Sequence, residues 1–159
     1  MVVNKNLQDS LIQELINRYV TISFQVHKKA ESLIKEQIGN DLTNDQHYIL
    51  RYIDQSESCT PTELADVFEV NKSAITAIVN RMADKGLIER TRDLNDRRVV
   101  YLTLTPEGKE LYQKAQEKIH LLVESIITQF EEPEIKAFIN TYEKLAKVLN
   151  NKKKEELGE

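Results

Sequence analysis

Hydrophobic residues recur along this chain with a helical period almost throughout, interrupted once by a short alternating stretch. Over residues 7–38, Leu15, Tyr19, Ile22, Val26, Lys29 and Leu33 follow a 4-3-4-3-4 spacing, with Leu11, Ile12 and Ile16 widening the stripe before Gly39 supplies a stop. The pattern predicts one long first helix, hard to bury on a single small domain and apolar on two faces, so that it calls for a partner chain. Thr43 with Gln46 makes a capping box, preceded by Leu42 as a staple. Behind it, Gln46, Ile49, Leu50 and Ile53 share one face of a second helix over 43–55. The third helix opens on Thr60 as cap, Pro61 in the first position and Glu63 closing the box, with Leu64, Ala65, Val67 and Phe68 as its inner side. Asn71 caps a fourth helix running to about Lys85, ahead of Gly86. Two short helices joined by the brief turn at Glu69-Val70 form a helix-turn-helix.

Then the period changes from 3.6 to 2. The stretches 87–92 and 99–104 are β-branched and alternating, and between them Asp93-Leu94-Asn95-Asp96-Arg97-Arg98 is rich in turn formers. A hairpin directly after a helix-turn-helix is a wing. Thr105-Pro106-Glu107 starts a fifth helix carrying Leu111, Ala115, Ile119, Leu122, Ile126 and Phe130 at helical spacing. Pro133 opens a sixth with Ile135, Phe138, Ile139, Tyr142, Leu145, Ala146 and Leu149 on its stripe, and the charged, aperiodic tail 151–159 reads as disordered. The expected fold is mainly α with a small β-hairpin wing. It has six helices: a winged helix-turn-helix lobe over 42–104, and a helical dimerisation region contributed by 1–38 and 105–150.

The fourth helix carries the chemistry. At 100° per residue, Ile75, Ile78, Val79 and Met82 fall within about a third of the circumference, and Ser73, Thr76, Ala77 and Asn80 fall opposite. That outer face is small, neutral and hydrogen-bonding, unlike the Glu/Lys mixture of an ordinary solvated helix. Small polar side chains let a helix approach base edges in a groove about 12 Å wide, where Asn can pair with adenine and a Thr methyl can touch thymine. Lys72 and Arg81 flank the face where phosphates would lie, and Asn71 stands at its start.

Charge changes the picture only through its distribution. A net charge of −4 argues against a nucleic-acid partner, but over 90–98 Arg90, Arg92, Arg97 and Arg98 outweigh Asp93 and Asp96. A basic wing on an acidic body fits double-stranded DNA while limiting non-specific adhesion. No apolar run approaches the roughly 20 residues of a membrane span, and the amino terminus has no signal core, so a cytoplasmic location is expected, with no membrane contact. A lone cysteine, Cys59, agrees with a reducing compartment. Glu57 beside it would raise the thiol pKa, against a redox switch. His27, His47 and His120 lie on three different helices with no i, i+4 pairing, so no metal site is expected, and no cofactor. Nothing resembles a phosphate loop or a nucleophile elbow, so no enzyme is expected.

The stretch from Leu42 to Gly108 resembles the DNA-binding lobe of the MarR family of regulators. It carries Thr62-Glu63-Leu64-Ala65, Asn71-Lys72-Ser73-Ala74-Ile75-Thr76, Asn80-Arg81-Met82 with Lys85-Gly86-Leu87-Ile88, and the wing Asp96-Arg97-Arg98 followed by Leu102-Thr103-Leu104-Thr105-Pro106-Glu107-Gly108. The resemblance implies a triangular homodimer in which the first, fifth and sixth helices of two chains interlock and each lobe enters a major groove. It matches Arg98 to the wing arginine that enters the minor groove and Asp96 to the acid that orients the wing. It also implies a repressor on a pseudo-palindromic operator, relieved by a small-molecule effector. The alternatives are a metal- or redox-sensing relative, and a winged-helix module that binds protein; the latter predicts an apolar or acidic outer face on the fourth helix.

Overall fold

The computed structural model describes the backbone of residues 2–157 and the side chains of 9–152. Its elements follow in the order α1 (Val2–Ile38), α2 (Asn44–Ser56), α3 (Pro61–Val67), α4 (Lys72–Asp84), β1 (Ile88–Arg92), β2 (Val100–Leu104), α5 (Pro106–Ile127) and α6 (Glu132–Leu157). Six helices and one antiparallel hairpin match the mainly α fold with a small β wing. The chain divides into two compact units, Met1–Ile119 and His120–Glu159.

The boundaries come from local chemistry. Thr43 and Thr60 accept hydrogen bonds from the Gln46 and Glu63 backbone N–H groups, and the Gln46 and Glu63 side chains accept from the two Thr backbone N–H groups in return. Both capping boxes therefore form as the sequence predicts. α3 and α4 each end in a Schellman motif. Beyond α3, Val70 N–H donates to the Ala65 carbonyl and Glu69 N–H to that of Asp66; beyond α4, Leu87 N–H donates to Met82 and Gly86 N–H to Ala83. The motif requires a left-handed residue, which glycine supplies at Gly86 (φ 70°) and Glu69 supplies (φ 55°) with its Cβ penalty. This sharp stop sets the turn between α3 and α4.

The core sits in the lobe. Ile49, Leu50, Ile53, Leu64, Met82 and Leu102 are fully buried, and Ile75, Val79 and Ile88 join them, together with Ile38 at the end of α1 and Tyr112 and Ala115 on α5. Cys59 exchanges two backbone hydrogen bonds with Leu102, adding a third, one-residue edge to the hairpin. The Thr105 hydroxyl donates to the Gly86 carbonyl and accepts from Gly108 N–H, pinning the start of α5 to the root of the wing. A Cβ on Gly108 would stand 1.9 Å from the Leu87 carbonyl oxygen, so only glycine permits this approach.

Four expectations need correction. α1 begins at Val2, not residue 7, because no breaker lies in between. Val67 is exposed, since a seven-residue helix turns only part of its circumference inward. α5 stops at Ile127, leaving Phe130 in the connection; Gln129 and Phe130 N–H groups donate to carbonyls three residues back, tightening the end of the helix. The tail expected to be disordered from 151 is helical to Leu157, since Lys and Glu have high helix propensity and no breaker precedes Gly158.

Candidate nucleic-acid interface

α4 buries Ile75, Val79 and Met82 and exposes Lys72, Ser73, Thr76, Ala77, Asn80 and Arg81. Its outer face is therefore the one the angular reading predicts. Several polar groups on it already have tasks. The Asn71 amide oxygen caps the helix, accepting from Ala74 N–H (2.8 Å) and from the Ser73 hydroxyl (2.7 Å). The Thr76 hydroxyl donates to the Lys72 carbonyl (2.7 Å), so it meets an outside group as an acceptor. Arg81 Nε donates to the Ala77 carbonyl and leaves its terminal nitrogens to spare.

Two clefts flank α4. On one side, Thr76, Val79 and Asn80 join Pro61, Arg90, Arg92 and Val100 around a space of about 500 Å³. On the other, Arg81, Asp84 and Lys85 face Asn40, Leu42, Thr43 and Gln46 across about 390 Å³. Thr76 and Asn80 thus line one cleft and Arg81 the other. Sequence reasoning missed the first cleft's closest contact, in which an Arg90 guanidinium nitrogen donates to the Asn80 amide oxygen. A signal was available, because Ile88, Arg90 and Arg92 alternate and must share one hairpin face.

The wing tip is basic and closed by its own hydrogen bonds. The Asp93 carboxylate accepts from the backbone N–H groups of Asn95 and Asp96, and Val99 N–H donates to the Asp96 carbonyl, closing the turn. Asp96 binds Arg98 three ways: Nε and backbone N–H to one oxygen, and Nη2 to the other at 2.9 Å. The guanidinium and that N–H hold the Asp96 carboxyl below the usual carboxylate range. Arg98 stays 90% exposed on its side chain, so the pair aims the arginine outward without withdrawing it from solvent. Arg97 is also exposed.

The other candidates behave differently. Cys59 is buried, and desolvation, with Glu63 as the nearby charge and not the expected Glu57, pushes its thiol up to about 12. Such a thiol stays protonated and unreactive at neutral pH. His27 and His120 are exposed, while His47 is buried with neither ring nitrogen hydrogen-bonded. Among the described residues, no group of three or more His, Cys, Asp or Glu could hold a metal, and no helix is long and apolar enough to cross a membrane.

A capped helix-turn-helix, an outward small-polar face and a basic hairpin define a winged-helix DNA-binding transcription regulator. The MarR family model matches residues 42–100. The chain is 30% identical over 118 residues to the homoprotocatechuate degradative operon repressor of Escherichia coli, covering 74% of this chain and 79% of that protein. It is also 30% identical over 132 residues to the regulator BilQ of Clostridium symbiosum, covering 81% and 88%. A mutant MarR from E. coli complexed with operator DNA superposes with a TM-score of 0.72 at 25% identity, covering 82% of this chain and 94% of that one. The protein belongs to the MarR family.

Proposed function

We propose that the protein is a homodimeric repressor which binds a pseudo-palindromic operator and releases it when a small ligand alters the spacing of its two lobes. The observation that carries this reading is the outer face of α4, with its neutral reading residues between two clefts and the Asp96-oriented Arg98 beside it. In this reading Ser73, Thr76, Ala77 and Asn80 face base edges, and Lys72 and Arg81 meet phosphates. Arg92, Arg97 and Arg98 bring the wing to the backbone and minor groove. The operator complex of the E. coli relative supports double-stranded DNA as the partner.

Dimerisation rests on uncovered apolar surface. On α1, Leu11, Ile12, Leu15, Ile16, Tyr19, Ile22 and Phe24 are all exposed, Phe24 at 64%. On α5 and α6, Leu121, Phe138, Tyr142 and Leu149 are too. Stripes of this extent on a monomer mark an association surface, and residues 1–38 and 105–150 form the dimerisation region. Two recognition helices then reach successive major grooves about 34 Å apart, so a shift of a few ångströms at their base spoils the fit. An effector has no need to touch the reading face.

Selection of bound DNA from a random duplex pool tests the proposal. The expected product is an inverted repeat with half-site centres about one helical turn apart. Enrichment of a single, unrepeated site would break the dimeric reading, and absence of any enriched sequence would break the function itself.

A further inference from the structure

Arg90 stands on the face of the hairpin turned toward α4. In the β1–β2 register it stands directly opposite Leu102, and directly opposed residues project to the same face of an antiparallel pair. Leu102 is fully buried, so Ile88, Arg90 and Arg92 all share the inward face. Ile88 enters the core. One step outward along the strand the core has ended, and Arg90 projects over its rim into the cleft beside α4, with Arg92 and Val100 next along. There the guanidinium donates to the Asn80 amide oxygen.

A guanidinium can only donate, so its partner must be the amide oxygen, and the contact fixes which way the Asn80 amide is turned. The oxygen is held by a cation on the hairpin. The amide nitrogen makes no hydrogen bond among the described residues and keeps both donors. A free asparagine reads adenine with both ends of its amide, accepting from N6 and donating to N7. With one lone pair of the oxygen taken by the Arg90 guanidinium and the oxygen turned toward the hairpin, the groups left to face outward are the two N–H donors.

We infer that Arg90 is a positioning residue which turns the Asn80 amide oxygen toward the hairpin and its N–H donors outward, directing it to an acceptor edge in the major groove, such as guanine O6/N7, in preference to adenine. The inference rests on the reading of the α4 face as the base-contacting surface. It makes base preference at one operator position a property of a helix–wing pair, and it places on the hairpin a residue whose effect is exerted through α4.

The test is base preference at each position, measured by competitive binding of full-length variants to an operator and its single-base derivatives across a salt series. Asn80→Ala should abolish preference at one position per half-site. Arg90→Met keeps the stem and removes the donors, so preference at that same position should move toward adenine by about tenfold, as the freed amide oxygen accepts from N6. Asn80→Ala with Arg90→Met should show no further change in preference beyond Asn80→Ala alone. Arg92→Met, the neighbour on the same face with no hydrogen bond to Asn80 among the described residues, should weaken all sequences alike. If Asn80→Ala leaves every preference intact, the reading of the α4 face fails. If Asn80→Ala acts as expected while Arg90→Met only lowers affinity uniformly and reduces the salt slope, Arg90 is a phosphate contact and the inference is wrong.

Discussion

The lobe and the long helices that flank it in sequence are written with the same helical period yet meet opposite environments. Between Ile38 and Ile119 the apolar stripes converge, and every fully buried side chain among the described residues belongs to this stretch. Along α1, by contrast, every side chain from Asp9 to Ser32 is exposed, and on α6 only Ile135 and Leu145 are even half-buried among those described. Periodicity says that a helix has an apolar face; it does not say whose surface will cover it. Burying one large aliphatic or aromatic side chain contributes about 1.5–3 kcal/mol. The flanking helices therefore hold a large reserve of stabilisation that the lobe does not use, available to a second copy. In the proposed dimer, one region stabilises the fold and the other the assembly.

The sharpest way to break this comparison is to remove part of the assembly region. Deleting residues 131–159 should abolish dimerisation in sedimentation and operator binding with it, while the lobe stays folded, because no described residue beyond Ile119 belongs to its core. A truncated chain that still sediments as a dimer would show that α6 is not needed for the interface. The opposite cut is Leu50→Ala, which empties a fully buried site. It should cost about 2–5 kcal/mol in urea unfolding, whereas Phe24→Ala should chiefly weaken the dimer. Equal effects of the two on lobe stability would erase the distinction.

Gly108→Ala probes the seam between α5 and the wing. The new methyl meets the Leu87 backbone at 1.9 Å, so the hairpin root or α5 must shift, at a cost of about 3 kcal/mol. Denaturation midpoints should fall accordingly; an unchanged midpoint would mean that this approach is loose in solution. On the proposed reading face the effects are smaller and selective. Thr76→Ala should cost about 1–3 kcal/mol on the operator and little on a scrambled duplex. Arg81→Ala should weaken both duplexes and reduce the salt slope by about one unit for each phosphate it no longer neutralises. The reverse pattern would invert the assignment of the two α4 edges.

The smallest expected effect is one of pH. Burial, assisted by Arg51, holds His47 below its ordinary value of 6.5. The folded state therefore resists protonation more than the unfolded chain does. Stability from this group is complete above 6.5 and is lost as pH falls through the lowered folded value, at no more than about 1.4 kcal/mol per pH unit. Urea unfolding at pH 7.5 and 5.5 should show the loss in the wild type and a flatter response in His47→Leu. Equal slopes would mean that His47 carries none of it.

Much of this protein was legible in its sequence because the relevant signals are local. Capping boxes at Thr43 and Thr60, the glycine stop at Gly86 and the switch of period at Leu87 each act within a few residues, so element order and type followed directly. The outer face of α4 was equally readable, since a rigid helix converts spacing into angle. Local propensity also misled where it was weighed too lightly, as in the Lys/Glu run that extends α6 to Leu157.

What the tertiary structure alone decided are relations between segments. That Glu63 and not Glu57 acts on Cys59, and that Gly108 abuts Leu87, depend on how elements dock. The pairing of Arg90 with Asn80 is the clearest case. Alternation along the strand places Arg90, Arg92 and Ile88 on one face, but only the packing of that strand against α4 brings the guanidinium ten residues back along the chain to the Asn80 amide. Hydrogen bonds reach about 3 Å, whereas a sequence pattern resolves only which face a residue occupies. The sequence therefore determined the elements and their surfaces, and the packing of the lobe determined which side chains on those surfaces meet.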